Sequence, residues 1–229
     1  DFLDKVNRLR PFSSKAKTII AKALGTTKAA RATLDVSFPL RQGVFYVGDK
    51  NFRKSLIPMV QDAFSSAKFE ARQKALRERP NAGLGQKSGL DLTDLHSNRE
   101  EQFVNNYLEN IPGIKHLVKG SNRAYISFGN QLRAGVFDGM IENLRKAGKG
   151  VDPDEAKAIA KFINTTTGRG GLGSLEKVAG ELNTAVFSPR LASSRLQMIF
   201  RPSIYLRHSP EIRKQSLKSA LSLAAFMGT

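Results

Sequence analysis

The 229-residue chain has no cysteine, no tryptophan and only three histidines. Without cysteine there is no disulfide, no thiolate metal site and no cysteine nucleophile. His96, His116 and His208 stand at no ligand spacing from one another or from carboxylates, so neither a metal nor a cofactor is expected. Acids are scarce as well, with 20 Asp and Glu against 37 Lys and Arg. The carboxylates offer no obvious acid/base pair: Glu100 and Glu101 are adjacent, so they point in different directions on a helix. No nucleophile-elbow GxSxG occurs. No enzyme activity is therefore expected of this segment. No uncharged run reaches the roughly 20 residues that span a bilayer. At the N-terminus no basic stretch is followed by an apolar run and a small-residue cleavage site, so no signal peptide is read there. The chain starts at Asp1 and stops within the apolar run Ser219–Thr229, and it is read as a piece of a longer polypeptide.

What is abundant is positive charge. The formal net charge is +17 and the pI about 10.3. Residues 1–80 carry net +10, residues 81–160 net zero, and residues 161–229 net +7. A neutral middle between two basic ends suits a protein that meets polyanion, either nucleic acid or an anionic membrane surface. The apolar fraction of 40% is enough for a packed core.

Apolar spacing predicts helices almost throughout. One is expected from Ser13 or Ser14 to about Ala32. Residues 34–47 break the pattern: Val36, Phe38 and Leu40 alternate around Pro39, which reads as an extended segment or a small hairpin at most. Asp49 or Asn51 opens a long helix with Phe52, Leu56, Met59, Val60, Ala63 and Phe64 as its apolar stripe and Pro58 as a possible kink. Asn81–Gly89 is glycine-rich and reads as a linking loop between a basic part, residues 1–80, and a helical module, residues 90–229. Ser97-Asn98-Arg99-Glu100 fits a capping box before Phe103, Val104, Tyr107 and Leu108. A helix is expected from Ser121 to Ala147 with Tyr125, Phe128, Leu132, Val136, Met140 and Leu144 inward. Asp152-Pro153-Asp154-Glu155 is a strong helix start, with a cap, a first-turn proline and acids at the positive dipole end. Further helices open at Ser174, Pro189 and Ser209-Pro210-Glu211. The expected class is all-α, an irregular multi-helix bundle.

Three features invite a functional reading. Gly168-Arg169-Gly170-Gly171-Leu172-Gly173 matches GxGxxG, but no strand precedes it and no acid lies near residue 193, so a dinucleotide site is not expected. The residual expectation is that Arg169 and the glycine-rich amides hold one backbone phosphate. Gly135 and Gly139 form GxxxG, which in a chain this charged means two small residues admitting a neighbouring helix. Tyr125, Phe128 and Phe137 could stack on bases or fill the core. The C-terminal third is the most suggestive. Arg190, Arg195, Arg201, Arg207 and Arg213 recur every five or six residues, joined by Lys214, and guanidinium suits bidentate phosphate contact. These six and Arg169 are the candidate nucleic-acid-binding residues. Leu217, Leu221, Leu223 and Phe226 of the last helix are the candidate contacts for a membrane or a partner helix.

Several stretches together carry a family likeness: Leu34-Asp35-Val36-Ser37, Pro39-Leu40-Arg41-Gln42-Gly43, Arg99-Glu100-Glu101-Gln102-Phe103, Ile111-Pro112-Gly113, Ser121-Asn122-Arg123-Ala124-Tyr125, Ala160-Lys161-Phe162-Ile163-Asn164, Thr167-Gly168-Arg169-Gly170 and Phe187-Ser188-Pro189-Arg190-Leu191. In order and spacing they resemble a helical module of the large polyvalent protein-associated domains of bacteriophages, over residues 33–225. The resemblance implies a virion-internal or ejection protein delivered with the genome. With the net charge of +17, the expected partners are DNA without sequence preference, other copies of the chain and other virion proteins, and the host inner membrane as part of an envelope-crossing conduit. Its expected place is the virion interior and, after infection, the host envelope or cytoplasm. Two alternatives stay open: a DNA-coating anti-defence protein, and an accessory part of a phage polymerase or peptidoglycan hydrolase. The resemblance brings no catalytic residue with it.

Overall fold

A computed structural model describes residues 38–93, 115–169 and 210–227. Among them are seven α-helices, one 3-10 turn and no strand, an all-α assembly. The expected helices at 13–32, after Ser97, at Ser174 and at Pro189 lie outside the described residues.

The helices are α1 (Phe38–Gly43), a 3-10 turn (Val44–Tyr46), α2 (Lys50–Phe64), α3 (Ser66–Glu78), α4 (Ala82–Lys87), α5 (Lys115–Lys146), α6 (Pro153–Thr166) and α7 (Pro210–Met227). The axis is α5, whose 32 residues run for about 48 Å. Its predicted stripe, Tyr125, Phe128, Leu132, Val136, Met140 and Leu144, is buried in full, and Phe137 with it. A base-stacking role for Tyr125, Phe128 or Phe137 is thereby overturned, because these rings are core.

Helix α2 lies antiparallel along α5. Ser127 of α5 meets Asp62, and Gly120 meets Ala63, whereas Gly135 meets Asn51, so one numbering rises as the other falls. Gly120 has a reason to be glycine, since a Cβ there would sit 2.7 Å from the Ala63 carbonyl oxygen. Of the GxxxG pair only Gly135 meets a neighbour, the Asn51 carboxamide; a Cβ on Gly139 would touch nothing within 4 Å. Phe52 packs edge-on to Phe128, centroids 5.4 Å apart.

Three local expectations are corrected. Residues 38–46 are helical rather than extended. Pro39 falls in the first turn of α1, where its missing N–H breaks no helical bond. The 3-10 turn after it buries three successive side chains, Val44, Phe45 and Tyr46, which a strand with two-residue alternation could bury only between two apolar layers. The Tyr46 hydroxyl bonds the Thr166 hydroxyl at 2.5 Å.

The break in the 50–78 stretch falls at Ser65 and not at Pro58, which sits within α2. Ser65 is extended (φ −139°, ψ 111°) and its Oγ accepts the Lys68 amide, so one residue ends α2 and caps α3.

The glycine-rich stretch 81–89 is mostly the short helix α4. Gly85 is buried, and Gly89 takes the left-handed φ of 77° that reverses the chain into buried Leu90. Asn164 of α6 clasps that reversal: its Nδ2 donates to the Gly89 carbonyl and its Oδ1 accepts the Asp91 amide. This packed element is not a free linker.

The α6 start is as predicted. The Asp152 carboxylate accepts the Asp154 amide, Pro153 follows, and Ala156, Ile159, Ala160, Phe162 and Ile163 are buried.

Candidate nucleic-acid interface

Charge is sorted between inside and outside. Sixteen Lys and Arg are exposed among the described side chains, against five Asp and Glu. The excess positive charge therefore lies on the surface and is not cancelled there.

The sorting follows from what holds the helices together. Asp62, fully buried, takes the Arg72 Nε at 3.0 Å and the Ser127 hydroxyl at 2.6 Å on the same oxygen. Arg123 of α5 reaches back to the last carbonyls of α2, with Nε donating to Asp62 O and Nη2 to Ala63 O, both at 2.8 Å. This serves the unsatisfied C-terminal carbonyls with a cation at the negative dipole end. Arg79 pairs with Asp138 at 3.2 Å and donates to Leu76 O. Arg133 is 1% exposed: its Nε donates to the Thr167 hydroxyl, and Nη2 stands 3.4 Å from Gln42 Oε1. Asn130 brackets Thr93 by bonds to both its amide and its carbonyl.

Arg169 belongs to this interior set, and the phosphate role expected of it is overturned. Its side chain is 1% exposed, pairs with Asp91 and donates to the Thr93 hydroxyl. Its backbone amide is committed too, to Asn164 O. Gly168, at φ 80°, is the left-handed residue that ends α6. The start of the glycine motif is thus a helix terminus. Residues 170–173 lie outside the described residues, as do Arg190, Arg195, Arg201 and Arg207.

Arg213 and Lys214 are exposed on α7, beside Lys218. Helix α7 docks on the 3-10 turn with Ile212, Ser216 and Ser219 inward. Leu217 and Leu221 face solvent, while the side chains of Leu223 and Phe226 lie outside the described set. The docked face thus combines one core aliphatic, Ile212, with two small hydroxyl residues, and the leucines point away from it.

The joint between α7 and α2 is Asp49. Its Oδ1 accepts the Asn51 amide at 2.8 Å, capping α2, and its Oδ2 accepts the Lys218 ammonium at 2.7 Å. Burial pushes this carboxyl up. The Lys218 ammonium, the Asn51 amide and the Gln215 side chain outweigh that and hold its pKa below the ordinary carboxylate value. Exposed Lys50, Arg53 and Lys54 follow on α2, so the α2–α7 junction gathers cations from both helices.

Sequence reasoning missed the outer face of α2. Val60 and Phe64 were placed with the core stripe, but only Phe52, Leu56, Met59 and Ala63 pack inward. Ile57, Val60 and Phe64 are exposed, Phe64 by 87%. The signal was present as a second apolar row, offset from the first by one residue.

Among the described residues no group of three His, Cys, Asp or Glu could hold a metal ion, and no helix is long and apolar enough to cross a membrane. No protein-family model, curated protein or solved structure matches the chain.

Proposed function

We propose that this chain is a structural, DNA-contacting module of a bacteriophage virion-internal protein, delivered with the genome and forming part of a conduit across the host envelope. One observation carries the DNA part: exposed cations outnumber exposed acids by sixteen to five on the described surface, while Asp49, Asp62, Asp91 and Asp138 are engaged in ion pairs with Lys218, Arg72, Arg169 and Arg79. Such a surface attracts a polyanion by releasing its counterions and reads no base sequence. The phage part rests on the family likeness of the short motifs.

The test is a filter-binding titration on duplex DNA of unrelated sequences over a range of salt. Affinity should be equal across sequences and fall linearly in log–log form with salt. Arg213→Ala and Lys214→Ala should each lower the slope by up to about one unit. Absence of binding at low salt sinks the DNA part. For the conduit part, the chain should be found in purified virions and then in the envelope fraction of infected cells. Recovery on cytoplasmic DNA alone would favour the coating alternative.

A further inference from the structure

From the outer face of α2 we infer a second binding role, toward a bilayer carrying anionic lipid, in which the apolar end of the face adds to cations already counted in the nucleic-acid reading. Lys50, Arg53 and Lys54 lie on that face in the first turns, and Ile57, Val60 and Phe64 continue it to the end of the helix. The spacings of three and four residues keep all six on one side. The helix has a single acid, Asp62, and it is buried on the opposite side. Phe64 stands at the corner where α2 turns into α3, with exposed Lys68 just past it.

Cations at one end of a face and bare aliphatic and aromatic side chains at the other match an interface where phosphate headgroups meet acyl chains. DNA explains only half of the face, because Ile57 and Val60 can neither stack nor hydrogen-bond and would stay in water. A second copy fits poorly. The three exposed apolar side chains fall short of the roughly 800 Å² that each partner buries in a stable interface. Phe64 protrudes, and a fluid bilayer can close around a protrusion. Helix α2, with 15 residues and three cations in its first turns, is too short and too charged to span a bilayer, so the contact it makes is interfacial. Helix α7 repeats the chemistry independently, with exposed Leu217 and Leu221 beside Arg213 and Lys214.

The absence of tryptophan supplies the test. The 229-residue protein is floated with phosphatidylcholine vesicles and with vesicles containing about one-third phosphatidylglycerol. Binding should occur only with the anionic vesicles. The double variant Ile57→Ser/Phe64→Ser should weaken it by about tenfold or more, with an unchanged thermal midpoint and unchanged DNA affinity. The single tryptophan of Phe64→Trp should shift to the blue on the anionic vesicles, and that of Lys157→Trp on α6 should not. The proposal is overturned if the parent protein fails to bind anionic vesicles, or if it binds neutral vesicles equally well. It is also overturned if the double variant binds like the parent, or if the tryptophan at position 64 stays unshifted on bound protein. Concentration-dependent dimerisation lost in the double variant would assign the face to a second copy instead. Unchanged DNA binding in the double variant keeps this role distinct from the nucleic-acid reading, so either can fail alone.

Discussion

Asp49 and Lys218, 169 positions apart in the chain, meet at 2.7 Å, and through them the last described helix is tied to the cap of α2. One carboxylate thus starts one helix and anchors another, with Asn51 on its first oxygen and Lys218 on its second. Beyond the joint lies a surface rich in cations, and beneath it the buried Asp49 and Asp62 tie helices together.

The pH dependence of the α7 dock follows from that carboxylate. Its folded pKa lies below the ordinary value, so its contribution to stability is complete above about pH 4 and is lost as pH falls through the lowered value. Hydrogen exchange of the α7 amides should therefore accelerate, relative to α5, on acidification below pH of about 4. Asp49→Asn should remove most of this dependence. Lys218 is half exposed, so Lys218→Ala should cost less than about 1 kcal/mol. Equal acid sensitivity in Asp49→Asn and the parent would show that the dock does not depend on this ion pair.

Asp62 is the larger structural commitment. Removing it strands the Ser127 hydroxyl in the core and leaves Arg72 without its carboxylate. Urea denaturation of Asp62→Ala should show a loss of about 3 kcal/mol. Asp62→Asn, which keeps an acceptor for one donor, should lose less. A loss under about 1 kcal/mol in Asp62→Ala would mean that the α2–α5 seam does not rely on it.

Two glycines of α5 should respond in opposite directions. Gly120→Ala drives a methyl to 2.7 Å from the Ala63 carbonyl oxygen, a backbone atom that cannot swing away. The expected loss is about 1–3 kcal/mol from forced separation of α2 and α5. Gly139→Ala meets nothing within 4 Å and should raise stability by about 0.5–1 kcal/mol through helix propensity. Thermal melts of the two variants give the signs directly; a Gly120→Ala midpoint no lower than the parent's would mean that α2 and α5 are not packed as described.

Much of the helical layout was legible because its cues are local. The Asp152 cap with Pro153, and the α5 stripe from Tyr125 to Leu144, depend on a few neighbouring residues and on helical period alone. Residues 38–46 differ from the expectation because alternation of three apolar side chains, Val36, Phe38 and Leu40, is too short to separate strand from helix. The outer row of α2 was misread because period shows that a face is apolar, not whether a partner covers it. The DNA candidates divided on the same ground. In sequence Arg169 looks no different from Arg213, but one is enclosed by Asp91 and Thr93 and the other faces water.

By itself the sequence determined the class of fold, the starts of α2, α6 and α7 and the surplus of positive charge, since these follow from residue type and short-range spacing. Only the tertiary structure decided which cations are engaged inside and which apolar row is left bare. Both depend on which side chains meet across dozens of residues, as Asp49 meets Lys218 and Asp62 meets Ser127.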